Sequence, residues 1–242
     1  MNKDTEITVI IPAINEAAWI QRAVSRAWEA GVDEVIVVDG GSNDETMALA
    51  QGSGAKVLAG PLGRAVQQNL GAQQARGEIL LFLHADNWLA PTIGQQIRDC
   101  LIQPEVLGGA FRQRIEAAEL PYRMLEWGNA ARVRWRGLPF GDQAIFMRRK
   151  TFEQLGGFPT TKLLEDVLLM RAFRRLSTPI LLPGPVYVHP RRWQQHGVFR
   201  QTLKNWFLLS AHALGVSPDR LARLYPMHDQ PGNSKGGLPQ AE

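Results

Sequence analysis

The chain of 242 residues has little cysteine and no long apolar run. Cys100 is its single cysteine, which excludes a disulfide framework and any cysteine-rich zinc or iron–sulfur centre. No stretch approaches the roughly 18 apolar residues that a membrane-spanning helix needs. The opening residues, MNKDTEITVI, lack a basic segment followed by an apolar one, so we expect no signal peptide and a cytoplasmic location.

Three common ligand-binding motifs are also missing. The sequence contains no G-x-x-x-x-G-K-[ST], which excludes a P-loop nucleotide site. No G-x-G-x-x-G follows the first apolar run, which argues against a dinucleotide-binding domain. The metalloprotease pattern H-E-x-x-H does not occur either.

The charge is distributed unevenly along a chain of ordinary globular composition, 45% hydrophobic and 21% charged. Residues 1–60 carry a net charge of −5 and residues 61–242 a net charge of +9. Arginine supplies 21 of the 27 basic residues, and its guanidinium is suited to bidentate contact with phosphate. The basic part could face a phosphorylated ligand or an anionic membrane, although a merely soluble basic surface explains the charge equally simply.

Short apolar strands alternate with helical segments four times within roughly the first 100 residues, which predicts βαβ units and a parallel sheet. We expect strands at 8–11, 34–39, 56–58 and 78–83, helices at 15–29, 63–75 and 91–102, and a further helix that begins near Asp44. Ligands of open α/β sheets bind at the carboxyl ends of the strands. Those ends are Pro12–Glu16, Asp39–Ser42 and His84–Asn87, and all three are polar.

The rest of the chain is less regular. We expect strands at 108–115, 144–147 and 180–188, and helices at 120–135, 163–176, 198–214 and 218–224. Without an internal repeat or a strong linker, we predict one domain over residues 1–229, with a division at 107/108. Residues 230–242 have the composition of a disordered tail.

Seven segments in order carry a resemblance to a known family. They are VIIPAINEA (9–17), EVIVVDGGSNDET (34–46), GRAVQQNLGAQQARGEILLFLHADNWL (63–89), GLPFGDQAIFMRR (137–149), LGGFP (155–159), LLED (163–166) and RRW (191–193). Over residues 6–200 the chain resembles the inverting family-2 glycosyltransferases. The resemblance implies a GT-A fold, an α/β domain with a mostly parallel central sheet flanked by helices. The chain also looks like a compact bacterial subgroup without transmembrane segments, which has H-A-D where most members have D-A-D.

The resemblance implies a site for a nucleotide-diphosphate sugar in residues 1–107. A carboxylate such as Asp39 can accept hydrogen bonds from a base or ribose, although Gly40 stands where most members have a second aspartate. Other interpretations stay open: Asp39 as a turn residue, Asn15 as a helix cap and Arg64 as a solvent-exposed cation. The predicted nucleotide-binding residues are Pro12, Asn15, Glu16, Asp39, Gly41, Arg64 and His84.

The same resemblance assigns the chemistry. Asp86, the last residue of H-A-D, would hold a divalent cation, Mn²⁺ or Mg²⁺, that bridges the donor phosphates. Independently of the resemblance, His189 or His196 could be a further metal ligand, although a lone histidine is more often structural. Asp166 would act as the general base that removes the acceptor proton, with Glu165 as its support.

Residues 108–229 would contain the acceptor site, for an acceptor hydroxyl or phosphate. Asp142, Gln143 and Trp193 are its predicted residues, and Arg192 is predicted to contact the donor diphosphate. The sequence indicates no nucleic-acid partner and does not identify the sugar, the base or the acceptor. The apolar stretch within 198–216 is expected to be a core or dimer helix, with peripheral contact at the inner membrane face as the alternative.

Two other functions remain open. A sugar-1-phosphate nucleotidyltransferase would share the sheet topology, but that class usually has a glycine-rich, arginine-containing loop where this chain has PAINEA. A catalytically inactive nucleotide-sugar-binding protein would explain Gly40 and His84, but it would not need Glu165 and Asp166.

Overall fold

The computed structural model describes residues 6–222, apart from the side chains of Arg192, His196 and Ala213. The strands in this part are β1 (Ile7–Ala13), β2 (Glu34–Asp39), β3 (Lys56–Ala59), β4 (Ile79–Phe82), β5 (Asn87–Leu89), β6 (Gly108–Ile115), β7 (Phe146–Arg148) and β8 (Ile180–Val188). The helices are α1 (Ile20–Glu29), α2 (Thr46–Gly52), α3 (Arg64–Gln74), α4 (Ile93–Leu101), α5 (Leu120–Arg136), α6 (Arg149–Gln154), α7 (Glu165–Phe173), α8 (Arg191–His196), α9 (Val198–Ala213) and α10 (Pro218–Ala222).

One mixed sheet organises these elements, in the order β3-β2-β1-β4-β7-β6-β8-β5. The first four strands are parallel, as predicted. Strand β7 runs antiparallel to both β4 and β6, and β5 runs antiparallel to β8. Strands β6 and β8 are parallel, so four of the seven strand pairings are parallel and three are antiparallel. The predicted central sheet flanked by helices is confirmed, but the sheet is mixed, because β7 inserts in the reverse direction between the two halves.

Helices cover both faces of the sheet. Strand β1 shows the division, since Ile7, Val9 and Ile11 pack into one buried cluster and Ile10 into the other. Successive side chains of a strand point to opposite faces, so a strand buried on both sides is apolar throughout. Helices α1 and α4 contribute to the first cluster, and α3 and α7 to the second.

Several predicted boundaries are corrected by local contacts. Helix α1 begins at Ile20, five residues after Asn15, so Asn15 is not its cap. The Asn15 side chain instead accepts the amide N–H of Asn43 at 2.9 Å and ties the loop after β1 to the loop after β2. Strand β5 and helices α6 and α8 were not expected, because each has only three to six residues.

Strand β8 covers the predicted residues despite Pro183 and Pro185, and its pairing with β6 is irregular between Phe111 and Gln113. Residues 223–224 of the last predicted helix and the predicted tail, 230–242, lie outside the described residues. Within 6–222 no helix combines the length and the apolar character needed to cross a membrane.

Helix α3 can approach β1 closely because Gly71 has no side chain. A Cβ at Gly71 would lie 2.5 Å from Ile10 Cγ2 and 3.2 Å from Val38 Cγ2. We expect Gly71→Ala to lower the free energy of unfolding by about 1–3 kcal/mol through overpacking.

The matched control is Gly128→Ala on α5, where no atom lies within 4 Å of an added Cβ. This variant should be neutral or more stable, by up to about 1 kcal/mol, because alanine favours the helix. Urea unfolding of both variants gives the comparison. Equal stabilities would contradict the close packing of α3 on the sheet.

Candidate active site

A cavity of about 1040 Å³ opens at the carboxyl ends of the strands, and it collects most of the predicted functional residues. A smaller pocket adjoins it beside the loop after β1 and shares three of its wall residues, Arg64, His84 and Asp86. The predicted residues at the cavity wall are Arg64, His84, Asp86, Asp142, Glu165, Asp166, His189 and Trp193. The smaller pocket adds Pro12, Glu16 and Arg191.

Two adjacent carboxylates begin α7 at this wall. Asp166 accepts the amide N–H of Gly141 at 2.6 Å and that of Val167 at 2.7 Å. Glu165 is 4% exposed and accepts a hydrogen bond from Arg64 Nη1 at 3.2 Å. Burial raises the pKa of both carboxyls; the two amides oppose this for Asp166, and Arg64 opposes it for Glu165. Asp166 is thus a carboxylate that takes up a proton more readily than an ordinary aspartate.

The loop that supplies the Gly141 amide rests on Arg132 of α5. The Arg132 guanidinium donates to the Leu138 carbonyl at 2.9 Å and to Gln143 Oε1 at 2.7 Å, and it stacks over the Phe140 ring at 3.5 Å. Burial lowers the pKa of Arg132 to about 10, which leaves it charged at neutral pH. Gln143 was predicted to contact the acceptor, but its side chain is fully buried within this network and supports the loop instead.

Asp142 lies at the cavity wall in the same loop. Its carbonyl oxygen accepts hydrogen bonds from Asn87 Nδ2 and Gln113 Nε2, which fix the loop against β5 and β6. Its carboxylate oxygen Oδ1 is buried without a hydrogen-bond partner among the described residues. Buried carboxylate oxygens are normally paired, so this atom indicates a place for a hydrogen-bond donor of a ligand.

Three residues around the site have backbone conformations that side chains disfavour. Asn15, Ala144 and Leu164 have positive φ angles of 51°, 48° and 64°, and they are the non-glycine residues of the described chain that do so. Such conformations cost of order 1–3 kcal/mol each and persist where the surroundings fix them, commonly at functional sites. All three adjoin the loops that form the cavity and the pocket beside it.

Asp86 is engaged by an arginine from far along the chain. Arg191 donates through Nε to Asp86 Oδ2 at 2.9 Å, and through its two terminal nitrogens to Glu16 at 2.9 and 2.6 Å. One guanidinium therefore joins the loop after β1, the H-A-D segment and α8. Among residues 6–222 no three His, Cys, Asp or Glu side chains converge in a way that could hold a metal by themselves.

His189 packs beside Asp86. Its backbone N–H donates to the Asp86 carbonyl at 3.2 Å, and its Nδ1 accepts the Arg191 amide N–H at 3.2 Å. Its ring lies 4.1 Å from that of Trp19. Burial lowers the pKa of His189, so the imidazole is neutral at physiological pH, the form in which it ligates metals.

The comparisons with known proteins decide the family. A model of glycosyl transferase family 2 matches residues 8–156, which is more than half of the chain. The chain belongs to glycosyl transferase family 2. This confirms the resemblance drawn from the sequence motifs.

Named relatives of this family-2 chain are longer proteins. An uncharacterized glycosyltransferase of Rickettsia felis is 38% identical over 93 residues, which are 38% of this chain and 32% of that protein. Glucosyl-3-phosphoglycerate synthase of Mycobacterium tuberculosis is 35% identical over 94 residues, 33% of this chain and 28% of that protein. A TPR repeat-containing protein of Synechococcus elongatus is 33% identical over 125 residues, 50% of this chain and 30% of that protein. The chain thus spans about a third of the length of these relatives.

Solved structures extend the similarity of fold. Staphylococcus aureus TarS, residues 1–349, superposes with a TM-score of 0.62 at 17% identity, covering 76% of this chain and 61% of that chain. The M. tuberculosis glucosyl-3-phosphoglycerate synthase in complex with Mn²⁺, UDP and glucosyl-3-phosphoglycerate gives a TM-score of 0.54 at 22% identity, covering 82% and 77%. At these identities the likeness shows the fold alone, an α/β GT-A-like domain.

Within this family-2 domain, Asp39 has the contacts of a turn residue. Its carboxylate accepts the amide N–H groups of Gly41 at 2.9 Å and Ser42 at 2.8 Å, together with the Ser42 hydroxyl. The side chain is 2% exposed, so the turn interpretation accounts for it. Gly41 has a φ of 99°, which explains a glycine at that position of the turn.

Gln67 of α3 is a supporting residue that the sequence analysis missed. Its side-chain amide donates to the carbonyls of Ala13 at 2.9 Å and Val38 at 2.8 Å. Its side chain therefore links the carboxyl ends of β1 and β2. The only sequence signal for Gln67 is a polar residue on the buried face of a helix, where a hydrophobicity pattern predicts an apolar one.

The segment 191–193 lies on α8 rather than in a loop. Trp193 borders the cavity and meets the Tyr122 ring edge-on at 6.2 Å. The predicted diphosphate contact of Arg192 and the predicted metal contact of His196 fall on side chains outside the described part of the chain.

The Arg132 network gives a stability prediction. Arg132→Gln removes the buried guanidinium, which leaves the Leu138 carbonyl without its side-chain donor and Gln143 Oε1 with the Phe140 amide N–H alone. We expect the free energy of unfolding to fall by about 1–3 kcal/mol.

Arg134→Gln, an exposed position on the same helix, is the matched control and should change stability by less than about 0.5 kcal/mol. Denaturant unfolding measures both variants. A loss for Arg134→Gln as large as that for Arg132→Gln would mean that net charge, and not the loop network, stabilises this region.

Proposed function

We propose that this protein is an inverting glycosyltransferase, which transfers a sugar from a nucleotide-diphosphate donor to an acceptor hydroxyl or phosphate. The observation that carries the proposal is the Asp166 carboxylate, held at the wall of the strand-end cavity by the Gly141 amide in a family-2 chain. The structures of TarS with UDP-GlcNAc and of the mycobacterial synthase with UDP support the donor class. Residues 1–107 are proposed to bind the nucleotide, and residues 108–229 are proposed to bind the acceptor.

Asp166 is proposed to be the general base. An acceptor hydroxyl within hydrogen-bond reach would lose its proton to Asp166 as its oxygen attacks the anomeric carbon of the sugar. The bond from this carbon to the donor phosphate breaks on the side opposite the attack, the nucleoside diphosphate leaves, and this single displacement inverts the carbon. The raised pKa of the carboxyl makes it a stronger base, while the Gly141 and Val167 amides hold it ionised and oriented.

Glu165 and Arg64 are proposed to support this base. Glu165 is buried next to Asp166, and Arg64 balances its charge while also lining the donor pocket. An arginine at the start of α3 is placed to attract the donor diphosphate. Asp142, whose Oδ1 is buried without a described partner, is proposed to accept a hydrogen bond from the acceptor.

The side chains beside His84 fit a divalent cation that one protein carboxylate binds together with the phosphates of the substrate. Asp86 would be the protein ligand, with His189 beside it, and such minimal protein coordination is ordinary for Mg²⁺. The cation would neutralise charge on the leaving diphosphate. Arg191 holds Asp86 and Glu16 in place, and His84 lies close to Gly141 at the boundary between donor and acceptor.

The donor base is tested by thermal unfolding with UDP, GDP, CDP and TDP, each with and without Mn²⁺. We expect one nucleotide to raise the midpoint, and to do so more strongly with the metal. Asp86→Asn should remove the metal-dependent part of the shift. Asp44→Asn, a carboxylate of the neighbouring loop that is absent from both pocket walls, is the matched control. If millimolar concentrations of all four nucleotides leave the protein unchanged, the donor proposal is wrong.

The base assignment is tested by Asp166→Asn. We expect turnover to fall by about 10²–10⁴-fold while nucleotide binding stays intact, because the amide cannot take the proton. In the wild type, kcat/KM should decline as the pH drops through the pKa of Asp166, which burial places above that of an ordinary aspartate.

Asp142→Asn, in the same cavity, should instead raise the KM for the acceptor. Sugar-transfer assays, stopped at fixed times or followed with a radiolabel and repeated over a range of pH, distinguish the two variants. Full turnover in Asp166→Asn would exclude Asp166 as the base. The same conclusion would follow if the residual activity of that variant declined at low pH as the wild-type activity does.

A further inference from the structure

Helix α9 has the reverse of the usual pattern for a helix at a protein surface. Gln201 and Leu208 are buried, and with Asn205 they face the cavity. Gln201 donates to Asn205 Oδ1 at 2.9 Å along that inner face. A surface helix normally turns its large apolar side chains inward, but four of those on α9 are 60–76% exposed. They are Phe199, Leu203, Trp206 and Phe207, and we call them the outer face of α9.

The predicted core helix is therefore wrong for most of α9, since its aromatic side chains are outside the protein. Residues at 199, 203, 206 and 207 share one side of a helix, because they are three or four positions apart. A contiguous exposed patch of this kind marks an interaction site. The inner face borders the cavity, so whatever covers the outer face lies one helix away from the cavity.

The charge around the outer face selects the kind of partner. Helix α9 contains two cations, Arg200 and Lys204, and no Asp or Glu. At 100° per residue, both cations fall at one margin of the outer face. A purely apolar protein partner needs no cations beside the apolar face, whereas an anionic surface attracts such cations.

Aromatic side chains flanked by cations are the composition of helices that lie in a membrane interface. Trp and Phe enter the boundary between headgroups and acyl chains, and Arg and Lys extend their stems along it toward lipid phosphates. The 16 residues of α9 form a rod of about 24 Å, which is long enough to lie along the surface. We propose that the protein docks on anionic lipid bilayers through the outer face of α9.

The docking is tested by flotation of the full-length protein with vesicles. One set contains phosphatidylcholine alone, and the other an equal mixture of phosphatidylcholine and phosphatidylglycerol. We expect the protein to float with the anionic vesicles and to be released by high salt, because the electrostatic part of binding is screened. Tryptophan emission should shift to shorter wavelength in the bound state.

Two variants locate the contact. The double substitution Trp206→Ser/Phe207→Ser should weaken partitioning into anionic vesicles by about tenfold or more, since it removes two large aromatic groups from the interface. Arg200→Gln/Lys204→Gln should weaken it by about fivefold per charge, equivalent to about 1 kcal/mol each, and should reduce the salt dependence.

The matched control is Trp127→Ser/Trp135→Ser on α5. These tryptophans are also exposed, at 70% and 75%, and their rings contact each other at 6.3 Å. This control should bind vesicles as the wild type does. Lys204 is half-buried and the other substituted residues are exposed, so thermal unfolding verifies that each variant is folded.

Three outcomes would overturn the proposal. The wild type could fail to float with either vesicle set, or the α9 variant could bind as well as the wild type. Light scattering could also show a dimer that Trp206→Ser/Phe207→Ser converts to a monomer without any vesicle binding, which would make this face a contact between two copies. None of these measurements uses transferase activity, so the docking and the proposed function can fail separately.

Discussion

The burial of two neighbouring carboxylates, Glu165 and Asp166, is the constraint around which the site is built. A carboxylate removed from water is costly unless donors or a cation compensate it. Arg64 from the first half of the chain serves Glu165, and the Gly141 amide from the second half serves Asp166. The start of α7 therefore depends on contacts from both halves of the chain.

The next level of the structure keeps those donors in place. Gly141 can face Asp166 because it has no side chain, since an added Cβ would lie 2.8 Å from His84 Nε2. Its loop in turn depends on Arg132 and Gln143, whose polar atoms satisfy one another out of contact with water. A buried network of this kind is rigid when complete and destabilising when broken, so it fixes one loop geometry. The positive φ angles of Ala144 and Leu164, which follow this loop and precede α7, are retained in the same way.

The sequence was informative wherever local patterns determine structure. Apolar runs predicted β2 and β8 at their observed bounds, and the predicted polar ends of β4 and β1 line the cavity and the smaller pocket beside it. The direction of β7 could not be predicted, because a three-residue strand carries no signal for whether its neighbours are parallel. Contacts such as Arg191 with Glu16, which are 175 residues apart, leave no periodic trace either. The H-A-D motif placed Asp86 at the site but could not reveal that an arginine already pairs with it.

That arginine bears on how a cation would be held. Asp86 forms an ion pair with Arg191, and Arg191 also forms an ion pair with Glu16. The three side chains together therefore carry a net charge of −1. A divalent cation meeting this group alone would face a nearby guanidinium, and the repulsion weakens binding. A donor diphosphate brings further negative charge and oxygen ligands to the same place, and it offsets both the cation and the arginine. Metal and nucleotide would then bind with mutual enhancement, and by thermodynamic linkage each raises the affinity for the other by the same factor.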